Sequence, residues 1–335
     1  MKISDIQKYD SQKMYEAYDS WPKLAKEYYE KDFSKLEIDN VDHIVFAGMG
    51  GSGTIGDIIS SILSRNNIHV NIVKGYLLPK TVDANTLVVT TSVSGNTKET
   101  ISILKNSKTS NARFISFSSG GNLEKVAIEN NINHITIPQL HSPRASLPSF
   151  LYSILNVLEY VIPIKKNDVV ESISKLEQTQ KSISSSNLNE KNTSLSLANW
   201  IKNIPIIYYP AGLQSAAIRF KNSLQENAKI HTISEDVIEA CHNGIVAWEN
   251  KTNVQPILIQ GYDDYTKTKE RWEIFKEFLQ SKQVDFKEIH SGQGNILTKI
   301  MYLIYMLDYS TIYSAIEAKI DPTPVKPIEF IKERI

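Results

Sequence analysis

Two short segments carry residue types that bind an anion. Gly48-Met49-Gly50-Gly51-Ser52-Gly53 follows an apolar run and opens a helical stretch, and Ser92-Val93-Ser94-Gly95-Asn96-Thr97 stands in the same relation to a later run. Glycines let the backbone approach a ligand closely, and a helix N-terminus points unpaired N–H groups at it. The hydroxyls of Ser52, Ser92, Ser94 and Thr97, with the backbone at Gly51, make a nest of neutral donors suited to one phosphate monoester. A plain N-cap role would account for Ser94, Asn96 or Thr97 taken singly. Two such loops at neighbouring strand ends favour a phosphate site.

Rival chemistries fit less well. GMGGSG matches the dinucleotide pattern GxGxxG, but that site wants an acidic residue at the end of the second strand, about 20 residues on. Here the second strand ends Asn71-Ile72-Val73-Lys74, and no Gly-Lys-Ser/Thr follows either loop. Cys241 beside His242 raises the question of a thiol nucleophile, yet a lone cysteine after Ile-Glu-Ala reads better as a small half-buried residue. The histidines show no HxH or HExxH spacing and one cysteine cannot build a zinc site, so neither metal nor cofactor is expected.

The elements that must position these loops alternate along the chain. His43–Ala47, Val70–Val73, Thr86–Thr91, Arg113–Phe117 and His134–Ile137 read as short strands, with helices from Thr54, Lys98, Asn122 and Leu147 between and after them. The pattern restarts at Pro205–Tyr209, with strands at Ile230–Ile233, Pro256–Gln260 and Asp285–Ile289 and helices from Gln214, Thr266 and Asn295. This is a pseudo-duplicated pair of doubly wound α/β domains with parallel sheets flanked by helices. The expected division is 1–165, surface helices plus the first domain; 166–195, a helical and polar connection with an exposed Ser/Asn-rich stretch at Ser182–Ser194; and 196–335, the second domain and a C-terminal tail.

A chain of 335 residues suits two domains. Lys plus Arg and Asp plus Glu number 37 each, which removes the electrostatic case for a nucleic-acid partner. A single cysteine suits a reducing compartment, Met1–Asp10 is too polar for a signal peptide, and no apolar run approaches the ~20 residues of a membrane span. A cytoplasmic protein with no membrane partner is expected.

GMGGSG, then Ser92–Thr97 and Ser142-Pro143-Arg144, together resemble the sugar isomerase (SIS) domain family. Gln225-Glu226-Asn227-Ala228-Lys229, Glu239-Ala240-Cys241-His242-Asn243 and Asp321-Pro322-Thr323-Pro324 are similar to one branch, the bifunctional phosphoglucose/phosphomannose isomerases. That resemblance implies two flavodoxin-like SIS domains and metal-independent isomerisation between an aldose 6-phosphate, glucose or mannose, and fructose 6-phosphate. It makes Glu226 the proton-shuttling base, His242 the ring-opening acid/base supplied by a partner subunit of a homodimer, Arg144 the enediolate stabiliser, and Lys299 a cation near the ring oxygen. Val93 departs from the branch, which usually has tyrosine there, and Thr54-Ile55-Gly56 replaces a more glycine-rich run; both bear on sugar preference. A non-catalytic SIS-domain sensor of sugar phosphates is the alternative, but the first forty residues are too few and too acidic for a helix-turn-helix domain. The isomerase half of an amidotransferase would need a glutaminase domain with a nucleophilic cysteine.

Overall fold

The computed structural model describes residues 1–335. Its contacts divide into two compact units, Ser20–Ile173 and Met1–Asp19 with Ser174–Ile335.

In the first unit five strands form one parallel sheet: β1 (His43–Ala47), β2 (His69–Val73), β3 (Thr86–Ser92), β4 (Arg113–Ser118) and β5 (Asn133–Thr136), in the order β2-β1-β3-β4-β5. Every residue of β1 and β3 is buried, as central strands covered on both faces must be. The edge strands β2 and β5 mix in His69, Asn71, Asn133 and His134, which a half-covered edge tolerates. Register pairs Ala47 with Val73 and with Thr90, so the ends of β1, β2 and β3 lie level.

The second unit holds β6 (Ile204–Tyr209), β7 (Ile233–Asp236), β8 (Val254–Gln260) and β9 (Lys287–His290), all parallel, in the order β7-β6-β8-β9. That is the order of the first four strands of the other sheet, so the duplication read from the pattern holds at the level of topology. The helix Ile296–Glu317 lies deep in this unit, with Leu297 through Ile316 buried at all positions except Lys299 and Tyr302. No helix is long and apolar enough to cross a membrane.

Four details differ from expectation. The N-terminal helices are core elements, not surface ones: Ile6, Met14, Tyr18, Trp21 and Ala25 have no exposed surface. In the helix Trp21–Glu30 the residues Trp21, Ala25 and Tyr28 recur at i, i+4 and i+7, an apolar stripe hidden among the lysines and glutamates. The strand expected at Ile230–Ile233 is β7, three residues later, because its Ser234-Glu235-Asp236 gives an edge strand no apolar signature. The helix expected from Thr54 begins at Gly50. Finally, the polar stretch 182–194 is only partly exposed: Ser182, Ser186 and 189–191 face solvent, while Ile183, Ser184, Asn192 and Ser194 are buried. Asn192 accepts from the Leu195 amide (2.9 Å) to cap the helix Thr193–Trp200 and donates to Ile183 O (3.1 Å), while the Ser194 hydroxyl donates to Met306 O (2.7 Å). The boundary between the compact units falls within 166–195, inside the helix Lys166–Ile183, and Met1–Asp19 groups with the second sheet.

Candidate active site

The order of the first sheet reverses between β1 and β3, and in a doubly wound fold a ligand crevice opens at that switch point, beyond the strands' C-terminal ends. Both Gly/Ser loops leave from there. After β1 the chain turns through Gly48 and Met49 into the helix Gly50–Leu63, with Gly50 at φ +53°. Gly48 is forced by packing: a Cβ would lie 3.0 Å from Thr91 O and 3.0 Å from Ser52 C. Ser52, in the helix's first turn, accepts a hydrogen bond at Oγ from the Val93 amide (3.3 Å), which ties the two loops together.

In the second loop the Ser92 and Thr97 hydroxyls pair at 2.8 Å. Thr97 occupies the N-cap position of the helix Lys98–Lys105 but makes no side-chain cap bond, and neither does Met49 at the head of the other helix. The simple capping explanation therefore fails for Thr97, whose hydroxyl is turned to Ser92. Gly95, at φ +68°, packs so closely on the Gly120–Gly121 turn that a Cβ would meet Gly120 O at 1.7 Å. Gly51, Ser94 and Thr97 reach the surface, while Ser52 and Ser92 are buried beneath them. Ser52 and Ser92 thus tie the two loops from within, while Gly51, Ser94 and Thr97 stand at the loops' partly exposed outer side.

Lys74, at the end of β2, also stands beside this loop, its Cε 3.1 Å from where a Gly53 Cβ would be. Its ammonium is engaged by Asp57 at 2.7 and 3.0 Å. Burial pushes the Asp57 carboxyl up, opposed by Lys74. The sequence offered Lys74 only as the missing acid of a nucleotide site.

Arg144 follows β5, on the same C-terminal edge of the sheet. Its loop is locked locally: the Ser146 hydroxyl donates toward Leu140 O and Ser142 O (both 2.9 Å), and the Trp21 indole donates to Ala145 O (2.9 Å). Arg144 is only 5% exposed, so it is built into the edge and does not overhang it freely.

In the second unit Glu226 lies in a π-helical turn, Leu224–Ala228, that continues the helix Gln214–Ser223. Single π turns of this kind recur at functional sites. A buried network holds the turn. Asp308, with no exposed surface, accepts at Oδ2 from Arg219 Nε (2.9 Å), Arg219 Nη2 (2.7 Å) and the Tyr18 hydroxyl (3.1 Å), and at Oδ1 from the Ser223 hydroxyl (2.6 Å). One residue beyond Glu226, Asn227 Nδ2 donates to Thr311 Oγ1 (2.8 Å). Burial works to lower the Arg219 pKa, but Asp308, Tyr18 and Glu226 outweigh it and hold the guanidinium charged. No sequence signal marked Arg219 or Asp308; only an ion pair 89 residues apart on two facing helices could have.

The other two expected residues are elsewhere. In a parallel sheet a helix returns from the strands' C-terminal edge to their N-terminal edge. Glu226, at the end of the helix after β6, is therefore on the N-terminal edge. His242 follows β7 and the short helix Val237–Ala240, exposed at the C-terminal edge. One chain does not bring them together. Lys299 lies in the first turn of Ile296–Glu317 and is ion-paired with Asp263. Thr311, which touches the Glu226 turn, is twelve residues further on (311 − 299), roughly 18 Å of helix rise. Lys299 is thus held away from Glu226 within this unit.

Comparison with known proteins agrees with this layout. A model of the SIS domain matches residues 37–156, and one described as the bacterial phospho-glucose isomerase C-terminal SIS domain matches residues 190–335. The bifunctional phosphoglucose/phosphomannose isomerase of Caldicellulosiruptor bescii is 30% identical over 336 residues, spanning 96% of this chain and 98% of the relative. The protein of the same name from Aquifex aeolicus is 30% identical over 302 residues, 87% and 90% of the two chains. In fold the chain is similar to the C-terminal domain of glucosamine-fructose-6-phosphate aminotransferase from Francisella tularensis, with TM-score 0.67 and 15% identity over 93% of this chain and 98% of that one. With two SIS domains in tandem and full-length relatives at this identity, the chain belongs to the bifunctional phosphoglucose/phosphomannose isomerase family.

Proposed function

We propose that this protein interconverts glucose 6-phosphate, mannose 6-phosphate or both with fructose 6-phosphate by moving a proton between C1 and C2. The observation that carries the reading is the pair of hydroxyl and glycine loops joined at the β1/β3 switch point, in a chain of this family. Gly51, Ser94 and Thr97 hold the phosphate, with Ser52 and Ser92 fixing the loops. His242 moves the proton that opens the ring, the general acid–base task that histidine side chains most often perform. The Glu226 carboxylate takes the proton from C2 of the open aldose, and the C1 carbonyl becomes the oxyanion of an enediolate. Arg144 stabilises that charge, so the route needs no metal. Glu226 then returns the proton to C1, while the proton of the C2 hydroxyl passes to the C1 oxyanion and leaves the C2 oxygen as the ketone. Glucose and mannose 6-phosphates differ only at C2, and the enediolate has no stereocentre there, so one intermediate serves both.

Glu226 and His242 stand on opposite edges of one sheet, about 13 Å of strand apart along four-residue β7. A site that uses both draws His242 from a second copy, and this supports a homodimer with shared active sites. Such an enzyme belongs to cytoplasmic carbohydrate metabolism, in glycolysis or gluconeogenesis. The test is turnover of each aldose phosphate by purified protein, with and without EDTA. Turnover insensitive to EDTA is expected; no turnover with either sugar overturns the proposal, and EDTA-dependent loss overturns the metal-free route.

A further inference from the structure

Lys229 closes the Glu226 turn in the left-handed conformation, φ 59°, ψ 32°. For a residue with a Cβ this costs about 1–2 kcal/mol, and glycine is the usual choice where a helix ends this way. The side chain that bears this strain has a defined task. Its ammonium donates to three backbone carbonyls: Glu226 O, Pro324 O (2.8 Å) and Pro322 O (3.4 Å). Three is the full donor capacity of a lysine. Two of the carbonyls belong to Asp321-Pro322-Thr323-Pro324, which follows the long helix and whose prolines have no N–H to pair with anything. The Asp321 carboxylate also anchors the segment, accepting from the Ser11 hydroxyl (2.5 Å) and the Thr323 amide (2.9 Å).

We propose that Lys229 is a positioning residue for Glu226, clamping the turn to the Asp321–Pro324 strap so that the glutamate's backbone cannot rotate. The proposal rests on Glu226 as the base. A π turn is a strained insertion in a helix, and the amides of Lys229 and Ile230 both converge on Leu224 O (3.2 Å from Ile230) to close it. The network at Asp308 and Asn227 fixes the side of the turn that faces the long helix. Lys229 fixes Glu226 itself, through its carbonyl. A carboxylate that must reach both C1 and C2 tolerates little displacement: a shift of about 1 Å can cost on the order of 100-fold in rate.

Lys229→Gly tests this without risking the fold, since glycine relieves the left-handed strain. Lys229→Arg keeps a cationic donor. Hydrogen–deuterium exchange should speed up together at residues 224–230 and at Thr323 in the glycine variant. Its kcat should fall by about 10- to 100-fold, with KM within about twofold and no loss of thermal stability. The arginine variant should recover much of the rate. Unchanged exchange at both segments overturns the clamp. A loss carried by KM overturns the positioning role and makes Lys229 an attractor of the anionic substrate. Faster exchange with unchanged kcat also overturns positioning. Glu226→Gln measured alongside separates that result from failure of the base assignment, because a wrong base would leave proton exchange in the glutamine variant intact.

Discussion

Gly95→Ala should damage the phosphate crevice more than any other single methyl group added there. Two costs add. At φ +68° an alanine bears roughly 1–2 kcal/mol of backbone strain. Its Cβ would also lie 1.7 Å from Gly120 O, 2.7 Å from Gly120 C and 3.3 Å from Gly121 Cα, so the neighbouring turn must retreat by about 1.3 Å to reach even 3.0 Å. That turn is not free to move, because Gly120 O accepts from the Ser118 hydroxyl (2.7 Å) and the Leu123 amide holds Gly95 O (2.8 Å). Overpacking against tied backbone costs about 1–3 kcal/mol. The sum is about 2–5 kcal/mol. Gly212→Ala is the control: it too has positive φ (+93°), in the loop after β6, but nothing lies within 4 Å of its Cβ position. It should cost only the strain, about 1–2 kcal/mol. Chemical denaturation of both variants, with KM for the sugar phosphate, is the assay. Gly95→Ala should be the less stable by 1 kcal/mol or more and show a KM raised about tenfold. Equal stability with unchanged KM would refute the close-packing argument.

Three further outcomes are expected. Asp308→Ala should cost about 3–5 kcal/mol because Arg219 is left charged and buried; Asp308→Leu with Arg219→Met should recover most of it, and a single variant losing under 1 kcal/mol would contradict the network. His134, its side chain 6% exposed between the Ser116 and Ser118 hydroxyls (2.6 and 3.2 Å), has a pKa lowered by burial, with Glu124 opposing. Because its folded pKa lies below its unfolded one, the unfolded chain binds the proton first as pH falls, so its contribution is complete above about pH 6.5 and is lost below it. His134→Gln should flatten the acid limb of a stability–pH curve by up to one proton, and an unaltered slope would count against the assignment. Mixing inactive Glu226→Gln and His242→Ala proteins should restore about a quarter of wild-type activity, half the dimers being mixed with one intact site each; no recovery would mean His242 does not act across subunits.

The parts of this protein that announce themselves in sequence are those where one local rule decides. Central strands β1, β3 and β8 are apolar runs because both faces are covered, and Gly48 to Gly53 stand out because the backbone there must come close to its neighbours. What escaped notice depends on partners far along the chain. Tyr18 and Trp21 sit among charges, and only their packing made them core residues. β7 is an edge strand of polar residues, and the π turn has no periodicity of its own. The positions of Glu226 and His242 on opposite edges follow from strand direction, which no motif records. Lys299 lies in the first turn of its helix, paired with Asp263, a partner 36 residues away that its motif context does not record.

The central claim is that Glu226 moves a proton between C1 and C2 of a sugar phosphate anchored at the switch point. Incubating the protein with mannose 6-phosphate or glucose 6-phosphate in D2O and following the sugar by proton NMR tests it directly. Wild-type protein should form fructose 6-phosphate and exchange the C2 proton of the aldose, while Glu226→Gln should bind the phosphate but exchange nothing. Exchange at the wild-type rate in Glu226→Gln would contradict the account.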